Sequence, residues 1–344
     1  MAIPLKQIFT QTYDKMRKLF PDKHIGCVGG GSRDISTDLT ITTFRSLGSC
    51  ALEKCQLLLV DEIQSSTGDE ISKTIMSSSP IRTIGYTATD KGMFSGTEKL
   101  LKGMYGERLI HIDYQDAQDV KAVVPAVVYF VRVPNDNPVS ATSIAGKMTQ
   151  GIKNHAVRNK LVGEVCRCIP ARWQTIVFVD HVYDHLINVH KALPTGARFI
   201  HRTTDKAGLK EYSLTPKQQD QIVDEYQDND FQFLVATDAF RAGVDIPNCR
   251  VVVQASGGSS SIEILQEAYR GSRTLPEWRQ TELGVEPKTH MVVIDFLDSH
   301  DDTLEGMSYK RMDIYKKEGW TVHVVDDPKT IDWTFGAIKK KLTN

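Results

Sequence analysis

The sequence predicts an α/β protein with two doubly wound parallel-sheet domains. Length is the first reason: 344 residues at about 100–200 per domain suggest two domains, and 40% hydrophobic content suffices for a core in each. The second is a series of short apolar runs bounded by turn residues, continuous rather than alternating, as strands buried on both faces are. They fall at 25–28, 39–43, 57–60, 83–86, 126–133, 175–179, 231–236, 251–253 and 291–296. The third is the helical segments between them. Leu5, Ile8, Phe9, Thr12, Met16, Leu19 and Phe20 share one face, and Thr215 caps a helix with Pro216 at its first position. Strand and helix in alternation mean a doubly wound design.

The stretch VPNDNPVSATSIAGKMTQG concentrates Pro, Asn, Ser and Gly between two such series. It places a first domain at 1–135, a linker at 136–150 and a second domain at 151–344. The segment TLPEWRQTELGVEPK, 274–288, reads as a polar loop in the second series.

Lys and Arg number 42 against 43 Asp and Glu, so any polyanion must be held by a local basic surface. Six scattered cysteines lack the paired spacing and His companions of a zinc site, and are expected to be reduced and mostly buried. No apolar run approaches the ~20 residues of a bilayer span, and the N-terminal twenty residues do not resemble a signal peptide. The expected location is cytoplasmic, in the host cell if the source is viral.

Chemistry concentrates in four segments. In QLLLVDEIQSS an apolar strand runs into Asp61 and Glu62. Ligands of an open parallel sheet bind beyond the carboxyl ends of strands, so one carboxylate can hold Mg²⁺ while the other orients a water against a γ-phosphate. In RTIGYTATD the next strand ends at Thr87 and Thr89, which could sense phosphate or merely cap a helix. In FQFLVATDAFRAGVDIP a strand ends at Thr237, with Gly243 and Asp245 downstream. In SIEILQEAYRGSRT, Gln266, Arg270 and Arg273 have helical spacing, which places them on one face. Two arginines there can stabilise a transferring phosphoryl group; a solvated basic helix is the alternative.

In this order the segments resemble superfamily 2 helicases: VDEIQ is similar to motif II, TAT to motif III, ATDAFRAGVDIP to motif V and QEAYRGSR to motif VI. IVFVDHVYDHLINVHKAL resembles the motif IV region, and IPLKQIFTQTYDKM with ITTFRSL resembles motifs Ia and Ib. The nearest type is the repair and recombination helicase of phages, archaea and eukaryotic excision repair. The resemblance implies two RecA-like domains, with ATP and Mg²⁺ as cofactors and DNA, single-stranded or branched, as partner; RNA stays open. It implies Asp61 for Mg²⁺, Glu62 for water activation, and Arg270 and Arg273 as the finger pair. Gln64, Gly243, Asp245 and Gln266 fall in the nucleotide set, with Gln64 linking motifs II and VI. The resemblance further implies that Thr87 and Thr89 couple the two activities and that Pro4, Thr43 and Thr237 contact the strand backbone. Glu267 and Tyr269 depart from the family's usual Arg and Gly.

The chain starts at what resembles motif Ia, so the first domain is expected to be N-terminally incomplete. A Walker loop needs backbone amides around phosphate, a Lys and a Ser or Thr. Gly26 to Ser32 has two Gly at that spacing but Ser32 in place of Lys, and reads as a turn. The expectation is little or no ATP hydrolysis by this polypeptide alone, the loop being split off to another chain, truncated or lost. The rival reading is a catalytically inactive nucleic-acid-binding or scaffold module.

Overall fold

A computed structural model describes all residues except 5, 51, 79, 88–94, 202–209, 238–245 and 335–344, and the side chains of 6–8, 95 and 210. The described chain forms two compact units, the first within Met1–His111 and the second beginning at Ile112.

The first unit contains β1 (Ala2–Ile3), α1 (Lys6–Leu19), β2 (Ile25–Gly29), β3 (Ser32–Arg33), β4 (Leu39–Thr43), β5 (Leu57–Val60), α2 (Asp69–Ser78), β6 (Arg82–Gly85) and α3 (Ser95–Tyr105). Its sheet order is β3-β2-β4-β1-β5-β6, and every pairing except β2 with β3 is parallel. β1 is only two residues long, yet it lies between β4 and β5 with Ala2 opposite both Thr42 and Val60. Ile3, Phe9, Ile25 and Ile41 form one core cluster, and Ala2, Phe44, Leu47, Leu58, Val60 and Ile75 belong to another. The apolar face expected of α1 is buried at Phe9, whereas Leu19 and Phe20 at its end are exposed.

The second unit contains α4 (Tyr114–Asp119), β7 (Ala126–Arg132), α5 (Ile144–Met148), α6 (Ala156–Cys168), β8 (Thr175–Phe178), α7 (Ile187–Ala192), β9 (Arg198–Ile200), α8 (Pro216–Gln227), β10 (Phe233–Ala236), β11 (Val251–Gln254), α9 (Ser261–Ala268), α10 (Glu277–Leu283), β12 (Met291–Leu297), α11 (Asp302–Lys317) and β13 (Thr321–Val325). Its sheet is parallel throughout, in the order β13-β7-β12-β11-β8-β10-β9. β8, β10, β11 and β12 are buried residue by residue, as continuous Val, Ile and Phe runs between two helical layers must be. α8 opens with the Thr215 cap and Pro216 as expected, reinforced by a reciprocal bond with Gln218.

The fold is therefore α/β with two parallel-sheet units. The break between them falls earlier than the expected linker. β7 pairs with β12 and β13, so residues 126–132 belong to the second sheet. Its six buried positions need a neighbour on each side, and these lie in the second unit. The Pro and Gly-rich stretch after it holds α5 and a π-helical turn at Thr149–Lys153, and Lys147 pairs with Asp301 at 2.8 Å. It is the crossover from β7 to α6. The expected polar loop at 274–288 contains α10, ended by Gly284 at φ 60°. Of the cysteines, Cys166 and Cys249 are buried and the other four only half-buried.

α6 and α7 approach so closely that a Cβ on Gly163 would overlap the Ala192 carbonyl. Ala would improve helix propensity by about 1 kcal/mol. The clash is with backbone, which cannot rotate away, and overpacking of this kind costs about 1–3 kcal/mol. Gly163→Ala is expected to lower the urea midpoint on balance, read by circular dichroism; an unchanged or raised midpoint would show that the helices can separate freely.

Candidate functional site

In the first unit, β4, β1 and β5 lie side by side and release Thr43, Pro4 and Asp61 at their carboxyl ends. This is the ligand-facing end of an open parallel sheet. Thr43 is buried and donates its hydroxyl to Ser46 Oγ at 3.1 Å, and Ile3, just before Pro4, is in register with Thr43. The Asp61 amide extends the β1 to β5 ladder by donating to the Ala2 carbonyl at 3.0 Å.

Glu62 follows with φ 50° and ψ 57°, a left-handed conformation costing a non-glycine residue about 1–2 kcal/mol. Its surroundings hold it there. The Glu62 amide donates to Asp61 Oδ1 at 3.0 Å, the Ile63 amide to the Tyr86 carbonyl at 3.0 Å, and the Tyr86 amide to the Val60 carbonyl at 2.8 Å. Gly85 lets Ile63 and Tyr105 close in on β6, where a Cβ would strike both side chains.

A side-chain relay runs across this strand end. Thr87 Oγ1 donates to Gln64 Oε1 at 2.8 Å, and Gln64 Nε2 donates to Glu62 Oε2. Glu62, Gln64 and Thr87 are all half-buried. Gln64 thus ties the acidic pair to the hydroxyl of the next strand, a link within one unit. Thr89 lies outside the described residues. Burial raises the Asp61 carboxyl above its ordinary value, partly offset by the Glu62 amide.

The glycine cluster at 26–32 is a hairpin. β2 and β3 pair antiparallel with Gly29 opposite Ser32, and the two-residue connection has Gly30 at φ 61° and Gly31 at φ 96°. Positive φ at both central positions is what a tight right-twisted hairpin demands, and glycine meets it without strain. A phosphate-binding loop would instead lead into a helix.

In the second unit Thr237 is buried just past the carboxyl end of β10. Gly243 and Asp245 lie outside the described residues. Gln266 and Arg270 are half-buried and Arg273 is exposed. The expected single helical face holds only in part. α9 ends at Ala268, Tyr269–Gly271 is a 3₁₀ turn, and Arg273 forms an antiparallel bridge with Val123. Gly271 packs against Val252 and Met291, and the Ser272 carbonyl accepts from the Val124 amide at 2.7 Å, which draws the chain off the helix axis. Tyr269 stacks on Tyr114 at 5.8 Å, meets Trp320 edge-on and donates to Glu318 at 2.6 Å.

The sequence did not reveal a buried charge network. Arg158 on α6, Arg311 on α11, Asp295 in β12 and Asp298 just after it are each at most 1% exposed and bonded together. The one available signal was a pair of acids in the otherwise apolar run VVIDFLD. No group of three or more His, Cys, Asp or Glu suited to a metal is found among the described residues, and no helix among them is long and apolar enough to cross a membrane.

Residues 158–274, within the second unit, match the family model described as the helicase conserved C-terminal domain. No curated protein matches the sequence. Among solved structures, S. cerevisiae Dbp5 bound to RNA and ADP BeF3 superposes with a TM-score of 0.58 at 15% identity, over 100% of this chain and 81% of that one. A fragment of a putative HsdR subunit of a type I restriction enzyme from Vibrio vulnificus gives 0.61 at 18% identity, over 91% and 57%. Mycobacterium smegmatis helicase Lhr bound to ssDNA and AMP-PNP gives 0.51 at 16%, over 86% and 40%. At these identities the likeness is one of fold, two parallel-sheet units in one chain.

Burial opposes the charge on Asp61, so its ionised form destabilises the fold while the group is charged, above the raised pKa. The penalty disappears as pH falls through that value towards the unfolded one. Asp61→Asn keeps an acceptor for the Glu62 amide, and is therefore expected to raise the urea midpoint at pH 7. The gain should shrink as pH is lowered into the carboxylate range. A midpoint that falls at pH 7 would mean that favourable contacts of the charged form outweigh desolvation.

Proposed function

We propose that this chain forms the core of an ATP-dependent superfamily 2 helicase or translocase acting on DNA, of the repair and recombination type. The observation that carries the reading is the relay from Thr87 through Gln64 to Glu62 at the carboxyl end of β5. It joins the acid that would activate water to a hydroxyl on the next strand, so a change at the nucleotide is felt beyond it. The C-terminal domain match over 158–274 supports the reading, as do the nucleic acids and nucleotides bound in Dbp5 and Lhr.

Asp61 would supply a hard carboxylate oxygen of the kind Mg²⁺ prefers. Mg²⁺ would neutralise charge on the phosphates. Glu62 orients the attacking water, and Arg270 and Arg273 offset charge on the transferring group. Gln266, Gly243 and Asp245 contact the nucleotide. Pro4, Thr43 and Thr237, each just beyond the carboxyl end of a strand or at it, meet the sugar-phosphate backbone, and Thr87 and Thr89 couple the two events.

In this reading the phosphate cradle and its Lys come from polypeptide outside these 344 residues, with a strand that adds to β6. β6 ends the first sheet among the described residues, and Ile81 and Tyr86 flanking it are 75% and 50% exposed. An added parallel strand with its helix would cover them.

Phosphate release on single-stranded and forked DNA tests the reading, with and without an added polypeptide containing G-x-x-x-x-G-K-[ST]. Turnover is expected with the addition, and Glu62→Gln should lower it by about 10²–10⁴-fold. DNA affinity should fall steeply between low and moderate salt as counterions are released. DNA binding without turnover under every addition would favour the non-catalytic binding module, and a salt-independent affinity would count against a backbone-tracking surface.

A further inference from the structure

The segment bearing Gln266, Arg270 and Arg273 is fastened at both ends by buried cations from distant parts of the second unit. Ahead of α9 the chain leaves β11 through Ala255, Ser256, Gly257 and Gly258. Three carbonyls of this loop accept from guanidinium groups: Ala255 from Arg158 Nη1 at 2.7 Å, and Gly257 and Gly258 from Arg311 Nη1 at 3.0 Å each. The same two arginines are locked from behind. Arg158 Nε donates to Asp298 Oδ1 at 2.7 Å. Arg311 Nε donates to both Asp295 oxygens at 3.0 Å, and its Nη2 to Phe296 O at 2.8 Å, Asp298 Oδ2 at 3.2 Å and Ser308 Oγ at 3.2 Å.

Beyond the 3₁₀ turn, Lys288 is 6% exposed and donates to two carbonyls, Arg273 at 2.7 Å and Pro247 at 2.8 Å. One ammonium therefore ties Pro247 to Arg273, the residue carrying the second arginine side chain.

Stability alone is a weak reason for such an arrangement. Burying two arginines and two aspartates costs so much desolvation that apolar residues of equal volume often do as well. A planar guanidinium with five fixed donors does something a hydrocarbon cannot, which is to set loop carbonyls at defined positions. We propose that Arg311 and Lys288 are positioning residues that hold the two ends of the 255–273 segment and thereby aim Gln266, Arg270 and Arg273 at their ligand. This rests on the functional reading above, which makes those three side chains the ones that meet nucleotide.

Hydrogen exchange measured by mass spectrometry on the full chain tests it with Arg311→Lys, Lys288→Met and Lys288→Arg. Arg311→Lys retains a cation but not the fork, and should speed exchange at 255–262 by about ten-fold while the β12 amides keep their rates. Lys288→Met should do the same around 270–274, and Lys288→Arg, still able to donate to two carbonyls, should restore slow exchange. In a preparation that turns over ATP, both damaging variants should lower kcat by about ten-fold with KM little changed. Unchanged exchange at 255–273, or an equal rise in β12, overturns the proposal. Should Arg311→Lys fail to fold, the Lys288 pair decides. Exchange is read without turnover, so failure of the ATPase reading and failure of the positioning claim give different results.

Discussion

Parallel strand pairing is the constraint from which the rest follows. Strands in one direction bury their middles between helical layers and deliver their polar ends to one edge of the sheet. In the first unit this gathers Thr43, Pro4 and Asp61 along three adjacent strands, with Glu62 held in a left-handed conformation beside them. In the second it leaves Thr237 just past β10 and starts the loop to α9 at the end of β11. Neither arrangement requires unusual residues at the strand centres. Their Val, Ile and Leu only have to be buried.

What the strand ends do depends on side chains that fix backbone. The Gln64 amide group faces Glu62 on one side and Thr87 on the other, so the orientation of the acid depends on the next strand. In the second unit the analogous work falls to buried arginines. Burial by itself would push the Arg311 guanidinium towards neutrality, but Asp295 and Asp298 outweigh this and hold its pKa above the ordinary value. The cation is thereby always available to the loop carbonyls.

Much of this could be read from residues alone, for identifiable reasons. Strands such as 175–178 and 291–297 are β-branched runs with no competing helical period, and the Thr215 cap is a local signal. β1 escaped because two residues carry no period, and its place is set by Thr42 and Val60, far along the chain. The apolar run 126–132 was recognised as a strand but given to the wrong unit, since burial on both faces does not say which sheet supplies the neighbours. Arg273 fits a helical spacing from Gln266, yet Gly271 and the Val124 contact end the helix first. Arg158 and Asp298 are 140 residues apart, and no local pattern announces such a pair.

The central proposal is that Asp61 and Glu62, at the carboxyl end of β5, serve a bound nucleotide. It is tested most directly by a structure of the chain together with a polypeptide supplying the phosphate loop, Mg²⁺ and a non-hydrolysable ATP analogue. The account predicts Mg²⁺ linked to Asp61 and Glu62 facing the γ-phosphate. Nucleotide bound away from Asp61 and Glu62 would contradict it.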